Sequence, residues 1–232
     1  MSNSERPLFS SFDEAWRWFN GGGAIETVEQ ARQRFTQGRG QFLAFQVRIA
    51  DRRIVAEIAE IQRVLAALPG IELQSSDLLH ISVRGCGFQV LKRQHEDEVL
   101  RGEVPAIAER AASILKHARR IEATLGPVNV FPDAVVLELH DGGALGAVRS
   151  QLAGAIARDA LIDDTHYLPH CTIAVFASSD AGGALRPALG PLRERAPARL
   201  KIDRIELARW WFTGFDERES VEAEPVRTYR LR

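Results

Sequence analysis

The sequence contains one order of elements twice, and each copy ends on a histidine that is followed two positions later by a hydroxyl residue. The first copy begins near Phe42 and reaches His80 after 38 residues, and the second begins near Ala134 and reaches His170 after 36 residues. In both copies the hydrophobic pattern predicts a strand, an amphipathic helix and a second, apolar strand that carries the histidine. Such self-similarity indicates a duplicated structural unit.

Each histidine lies in an apolar run that predicts a buried strand. Side chains two apart on a strand point to the same face, so His80 shares a face with Ser82. By the same rule His170 shares a face with Thr172, while the apolar residues between them point into a core. Arg84 lies on the face of His80 and is a candidate for a phosphate contact, with a surface arginine at a strand end as the competing interpretation.

The order of elements predicts an α+β fold of two pseudo-twofold-related lobes. Each lobe is expected to hold an antiparallel-rich sheet with helices on its outer face, and the histidine strands are expected to face each other across a central cleft. Strands are predicted at 42–50, 78–84, 120–130, 134–140, 169–176, 200–213 and 221–231. Helices are predicted after Asp51, at 104–119, after Gly143 and around 184–195.

The residues before the repeat, 1–41, are predicted to form an N-terminal helical appendage, which leaves 42–232 as the bilobal domain. Two capping-box pairs begin helices in this appendage, Ser11 with Glu14 and Thr27 with Gln30. Trp16 and Trp18 could stack on a base, but aromatic residues at this spacing are more often helix-packing residues.

The composition excludes several classes of partner. A net charge of −1 disfavours an extended duplex-binding surface but leaves room for a small phosphate ligand or a nucleic-acid end. Two cysteines provide no disulfide framework, which is typical of a reduced intracellular protein. No apolar run reaches membrane-spanning length, and the polar start at residues 1–5 does not match a signal peptide. We therefore expect a cytoplasmic protein without membrane association or an obligate protein partner.

At its two motifs, His80-Ile81-Ser82 and His170-Cys171-Thr172, the chain resembles the two-histidine (2H) phosphoesterases, in particular the 2′-5′ RNA ligase-like, RNA 2′,3′-cyclic phosphodiesterase branch. The resemblance extends over roughly residues 42–231 and implies two lobes that flank a water-filled active-site cleft. Three further features support it: the Phe131-Pro132 turn, the strand 135–139 and the late strand 205–209. Ser82 stands where threonine is commoner, and Trp210-Trp211 and the appendage lie outside the family pattern, which leaves the substrate open.

The resemblance implies a metal-independent, cofactor-free phosphodiesterase that hydrolyses a 2′,3′-cyclic phosphate at an RNA terminus or on a small cyclic nucleotide. Opening this ring with water needs a base and an acid, and two histidines with an ordinary pKa of about 6.5 supply both near neutral pH. The resemblance gives His170 the base role and His80 the acid role, although the repeat makes them near equivalents. Ser82 and Thr172 would donate hydrogen bonds to the non-bridging oxygens. A 2′-5′ RNA ligase activity remains open.

Other interpretations remain open from the sequence. A non-catalytic module would bind a nucleotide or RNA end in the same cleft without turnover. A zinc hydrolase would use His80, His170 and a carboxylate, although no ligand spacing supports it. Cys86 as a nucleophile lacks an orienting third group in the sequence. Three aromatic residues are candidates for stacking on a base or, more simply, for core packing: Tyr167, Phe88 and Trp211.

Overall fold

The computed structural model of the protein describes residues 7–156, 166–213 and 220–232. Six α-helices lie in these ranges: α1 Phe12–Asn20, α2 Val28–Thr36, α3 Arg52–Leu65, α4 Val104–Leu115, α5 Ala144–Leu152 and α6 Ala181–Arg193. Ten strands accompany them: β1 Gln41–Arg48, β2 Ile71–Leu73, β3 His80–Val90, β4 Glu98–Leu100, β5 Ile121–Phe131, β6 Ala134–His140, β7 His170–Phe176, β8 Ala198–Ile202, β9 Arg204–Thr213 and β10 Ser220–Arg230. The polar start noted at residues 1–5 lies outside the described residues.

All ten strands belong to one curled, largely antiparallel sheet, which confirms the α+β class. The order along the sheet is β10-β9-β1-β3-β7-β6-β5-β8, with β2 beside β7 and β4 beside β3. The prediction of a separate sheet in each lobe is therefore corrected. Two four-stranded halves are joined where β3 meets β7, through the pairing of Ile81 with Cys171. We call β10-β9-β1-β3 the first half of the sheet and β7-β6-β5-β8 the second half.

The two copies of the repeat exchange elements across this junction. Helix α3 follows β1 of the first half but packs against β7 and β8 of the second, while α5 follows β6 of the second half but packs against β3 of the first. The strand predicted at 200–213 is divided at Asp203 into β8, which pairs with β5, and β9, which pairs with β1. One continuous strand cannot serve both halves of the sheet, so the chain breaks there. The superposition of 42–84 on 134–176 remains a prediction.

Helix α3 shows how the sequence sets the packing. The Asp51 side chain accepts hydrogen bonds from the backbone N–H groups of Arg53 and Ile54, so it caps the first turn as expected. Apolar residues then recur on one face and are buried against the sheet: Ile54, Ile58, Ile61 and Leu65. Burying a side chain of this size contributes roughly 1.5–3 kcal/mol, so this stripe holds the helix in place.

The apolar residues of the two histidine strands point into the same core. Ile81, Val83, Cys171 and Ile173 have no exposed surface. Because side chains alternate along a strand, their burial turns the histidines and hydroxyls to the opposite face of the sheet. A slip of one residue in either strand would place the histidines in the core, so burial fixes which face carries them.

Residues 7–40, which we call the N-terminal segment, pack partly on the face of the sheet that carries the histidines, while Phe19 and Ile25 join the main core. Helix α1 lies against β5, where the Asn129 side-chain amide donates to the Phe12 carbonyl at 2.9 Å. The Glu26 backbone N–H donates to the Pro132 carbonyl at 2.6 Å ahead of α2. Trp16 and Trp18 are partly buried against the core, which agrees with the packing interpretation. No helix in the described parts of the chain has the length and hydropathy needed to span a bilayer.

Candidate active site

The two histidine motifs meet at the junction between the halves of the sheet. Ile81 pairs with Cys171 in antiparallel register, so the residues on either side of this pair also lie across from each other. His80 is therefore set across from Thr172, and Ser82 across from His170. The imidazole of each motif therefore lies beside the hydroxyl of the other motif.

Both imidazoles are held by the same hydrogen bond. The Nδ1 atom of His80 lies 2.8 Å from the Leu78 carbonyl oxygen, and that of His170 lies 2.7 Å from the Leu168 carbonyl oxygen. A carbonyl oxygen only accepts, so each neutral ring carries its proton on Nδ1 and leaves Nε2 available for proton transfer. The repeat thus fixes the tautomer and the direction of both rings.

The surroundings of His80 are apolar. Its ring lies 4.4 Å from the Trp210 ring, centroid to centroid, and its Nε2 atom is 3.2 Å from the Ser82 hydroxyl oxygen. Burial is the main cause of a lowered pKa of about 4 for His80. The hydrogen bond to Leu78 acts in the opposite direction, and the positive charge of a protonated His170 acts in the same direction. His80 is consequently neutral at pH 7.

His170 has a different set of neighbours. The edge of its ring meets the Phe131 ring, with centroids 4.7 Å apart and planes at 80°. Phe131 in turn stacks on Phe12 of the N-terminal segment at 6.3 Å. His80 thus packs beside a tryptophan of β9, and His170 beside a phenylalanine of β5 that α1 covers.

The cleft consists of two connected chambers. The His80 chamber has a volume of about 400 Å³ and also contains Thr172. The His170 chamber has a volume of about 390 Å³. Four residues line both chambers and mark their junction: Ser82, Phe35, Phe42 and Ala44. A phosphate at this junction would lie between the two histidines with a hydroxyl on each side.

Arg84 lies in the His170 chamber rather than beside His80. It is 4% exposed, so the interpretation as a surface arginine is wrong. Its Nη1 donates to the Arg149 carbonyl at 3.3 Å, and Arg149 donates to the Val83 carbonyl at 2.7 Å. The Arg149 guanidinium lies 4.4 Å from the centre of the Tyr167 ring, and the Tyr167 hydroxyl donates to the Ser82 carbonyl at 2.8 Å. These contacts give the His170 chamber two buried positive charges.

Of the three aromatic candidates for base stacking, only Tyr167 lines a chamber within the described residues. Phe88 is buried beneath the Arg39 guanidinium, and Trp211 lies beside Arg209. The tryptophan that reaches the cleft is its neighbour Trp210, which the prediction missed. The alternation of side chains along β9 could have predicted this, because every second residue of the strand faces the cleft: Ala208, Trp210 and Phe212. No sequence pattern predicts that Phe35 lies in the cleft, because its position depends on how α2 packs.

The cysteines do not supply a nucleophile. Burial raises the pKa of the Cys86 thiol well above its ordinary value and that of Cys171 to about 12. Both thiols therefore stay protonated, and the thiolate that nucleophilic attack requires does not form. The β1–β3 register shifts twice, between Ser82 and Arg84 and between Gly85 and Gly87, and Cys86 lies in the core rather than on the face that simple alternation would give it.

Two further features bear on where the site lies. In 7–156, 166–213 and 220–232, no three His, Cys, Asp or Glu side chains converge as a set of metal ligands. A further cavity, of about 550 Å³, lies on the helical face, where Arg53, Pro197 and Arg199 contribute to its wall. It contains neither histidine motif, so the cleft with the paired imidazoles is the candidate active site.

The fold and the paired His-x-Ser/Thr motifs define a 2H phosphoesterase. Residues 50–211, more than two thirds of the chain, match the family described as the 2′-5′ RNA ligase superfamily, and the chain belongs to that family. No curated protein matches the sequence.

Solved structures share the fold at low sequence identity. The protein TT0787 of Thermus thermophilus is 15% identical, with a TM-score of 0.56 over 82% of this chain and 98% of its own. E. coli LigT complexed with 3′-AMP is 15% identical, with a TM-score of 0.54 over 84% of this chain and 99% of its own. The LigT structure with ATP is 16% identical, with a TM-score of 0.52 over the same shares. These similarities establish the fold, and the nucleotides are ligands of LigT.

Proposed function

We propose that the protein is a metal-independent phosphodiesterase that hydrolyses a 2′,3′-cyclic phosphate at an RNA terminus or on a small cyclic nucleotide. One observation carries the proposal: His80 and His170 are fixed through Nδ1 by matching carbonyls and share one cleft. Membership of the 2′-5′ RNA ligase superfamily and the nucleotides bound by LigT support the substrate class.

In the proposed reaction a water molecule attacks the phosphorus of the cyclic phosphodiester. His170 accepts the proton of the water at Nε2, and the bond from phosphorus to one ribose oxygen breaks. His80 donates a proton from Nε2 to that leaving oxygen, which becomes a hydroxyl. The products are a phosphomonoester and a free neighbouring hydroxyl, and solvent restores the two protonation states before the next turnover.

Ser82 and Thr172 donate to the non-bridging oxygens in this scheme, and Arg84 adds positive charge from the His170 chamber. Charge develops on these oxygens as the phosphorus becomes five-coordinate, so preorganised donors lower the barrier. The junction of the two chambers gives the phosphate a place between the hydroxyls. Residues 42–232 are proposed to form the catalytic domain.

To act as the acid, His80 must be protonated. Its lowered pKa of about 4 leaves little imidazolium near pH 7. A bound phosphodiester carries a negative charge beside the ring and favours the protonated form. We therefore expect nucleotide binding to raise the pKa of His80, which nuclear magnetic resonance titration with and without 3′-AMP would measure. An unchanged pKa would assign the acid role to His170 instead.

The decisive experiment is incubation with an RNA oligomer that ends in a 2′,3′-cyclic phosphate. Hydrolysis is expected, and the position of the product phosphate identifies the bond that breaks. The same incubation after exhaustive chelation tests the zinc-hydrolase alternative, since lost activity that returns with zinc would establish it. Binding of the oligomer without turnover would establish the non-catalytic module. An RNA acceptor with a 5′-hydroxyl, added to a further sample, tests ligation, in which this hydroxyl replaces water as the nucleophile that opens the cyclic phosphate.

A further inference from the structure

The N-terminal segment lies outside the part of the chain that matches the family. The family match begins at residue 50, after the segment has ended. The similar solved structures align over 98–99% of their own length but over only 82–84% of this chain. Yet residues of the segment line both chambers of the cleft, so they lie where a substrate would be recognised.

Phe35 connects the segment to both chambers of the cleft. It lies in the last turn of α2, lines both chambers and keeps 42% of its surface exposed. Its ring meets the Phe42 ring at 5.0 Å and 70°, and the Phe212 ring at 5.9 Å and 76°. The Phe88 ring lies 5.1 Å away at 51°. Phe35 thus belongs to an aromatic cluster that borders the cleft, while 42% of its own surface stays accessible to a ligand.

The segment holds Phe35 rigidly. The Thr27 side chain and Gln30 form the reciprocal capping box at the start of α2, and Arg34 pairs with Glu26 at 2.7 Å. After the helix, Arg39 pairs with Asp97 at 2.6 Å and lies over the Phe88 ring. A ring fixed in this way loses little conformational entropy when a ligand stacks on it.

The chemistry of the His80 chamber is mostly aromatic and apolar away from the phosphate junction. Its walls hold four aromatic rings and several aliphatic side chains, with a smaller polar part. The rings belong to Phe35, Phe42, Trp210 and Phe212, and the polar part includes Arg32, Glu72 and Gln74. The volume of about 400 Å³ is in the range of pockets that take a small organic ligand. Such walls favour a flat, uncharged ring system, whereas the two buried arginines of the other chamber favour negative charge.

We propose that the N-terminal segment is part of the substrate site and that Phe35, with the rings of the His80 chamber, binds the nucleobase beside the cyclic phosphate. This inference rests on the proposed function and narrows it. The preferred substrate carries a base within reach of the scissile phosphate, and a cyclic sugar phosphate without a base is a poor substrate. Phe35 is then a specificity-determining residue that the family domain alone does not supply.

The test compares two substrates that differ only in the base: adenosine 2′,3′-cyclic phosphate and 1-O-methylribose 2′,3′-cyclic phosphate. Phe35→Ala is expected to raise the KM for the nucleoside substrate about tenfold, because stacking of a base on an aromatic side chain is worth at least that factor. The KM for the baseless substrate and both kcat values should stay within about twofold of wild type. Phe35→Tyr keeps a ring and should restore the wild-type KM.

Val64→Ala is the matched control, because Val64 of α3 has the same 42% exposure and lines neither chamber. It should leave the KM for both substrates unchanged. If Phe35→Ala does not fold, Phe35→Leu keeps apolar volume without the ring and is expected to raise the KM for the nucleoside alone. An equal loss on both substrates, or no loss on either, would overturn the proposal.

A wild-type protein that hydrolyses neither of these substrates nor the RNA oligomer would refute the proposed function without deciding this inference, which binding then tests. Calorimetric titration with 3′-AMP and with ribose 5-phosphate separates recognition of the base from recognition of phosphate. Phe35→Ala should weaken binding of 3′-AMP about tenfold and leave ribose 5-phosphate unchanged. Equal affinity of the variant and the wild type for 3′-AMP would overturn the inference.

Discussion

The two histidines of the cleft differ in their neighbours and not in their backbone. His80 and His170 each bond through Nδ1 to a carbonyl two residues earlier, at 2.8 and 2.7 Å. His80 lies against Trp210 and has a lowered pKa, whereas His170 meets the edge of Phe131. The duplicated tripeptide therefore fixes the direction of both rings, and burial lowers the pKa of His80.

The same contrast extends to the two halves of the sheet. The cleft face of the second half is covered by α1, where Phe9 and Ala15 pack on Phe131 and Val136. The corresponding face of the first half keeps partly exposed aromatic rings that open into the His80 chamber. The cleft face of the second half is thus covered by the protein itself, and the cleft face of the first half is open to a ligand.

The largest expected effect concerns the histidines themselves. His80→Ala or His170→Ala should each lower turnover of a cyclic phosphate by about 10²–10⁴-fold, because each removes a positioned proton-transfer group. The double variant should be little worse than either single variant, since the two groups act in one step. Steady-state kinetics with a terminal 2′,3′-cyclic phosphate measures both effects.

The control for the histidine variants is His117→Ala, which removes an exposed histidine outside both chambers. It should turn over substrate at the wild-type rate. A double His80/His170 variant that kept near-wild-type activity would rule out the catalytic assignment. The rate of the wild type should also be bell-shaped in pH, because one ring must be neutral and the other protonated.

The hydroxyls should contribute less than the histidines. Ser82→Ala and Thr172→Ala each remove one of several donors to a charged phosphate, which is worth about 1.5–3 kcal/mol, or roughly 10–100-fold in kcat. Comparing the two variants shows whether the hydroxyls of the first and second halves of the sheet contribute equally to kcat. Thr172→Ser keeps the hydroxyl and should retain most of the activity, so an equally large loss in Thr172→Ser would point to lost packing.

Replacing Trp210, which packs on His80, should reduce the difference between the surroundings of the two imidazoles. Trp210→Ala opens the ring to water, so the pKa of His80 should rise from about 4 toward its ordinary value of about 6.5. Nuclear magnetic resonance titration of the imidazole protons measures this shift directly. Trp211→Ala is the matched control, because its ring lies beside Arg209 and outside both chambers. A rise of the same size in both variants would mean that Trp210 does not determine the pKa.

The sequence predicted these local features because they depend on short-range rules. Strand alternation placed Ser82 with His80, and the Asp51 cap set the start of α3. The single joined sheet was not predictable in the same way, since it depends on one long-range pair, Ile81 with Cys171. Phe35 enters the site through tertiary packing of α2, a contact that periodicity within the helix does not encode.

The smallest expected effect is the pH dependence of stability that arises from His80. The folded protein binds this proton with a pKa of about 4, whereas the unfolded chain binds it with a pKa of about 6.5. Between these values the unfolded state holds more protons, so stability falls as the pH falls from about 6.5 toward 4 and is fully present above 6.5. Two and a half pKa units correspond to at most about 3 kcal/mol, and the partial access of His80 to the cleft reduces that figure.

His80→Gln removes this titration and should therefore lose less stability between pH 7 and pH 4.5 than the wild type. Urea unfolding at both pH values measures the difference, and the carboxylates that titrate in the same range cancel between variant and wild type. His117→Gln changes an exposed histidine and should follow the wild-type pH dependence. Parallel curves for His80→Gln and the wild type would mean that His80 takes up its proton as readily in the folded protein as in the unfolded chain.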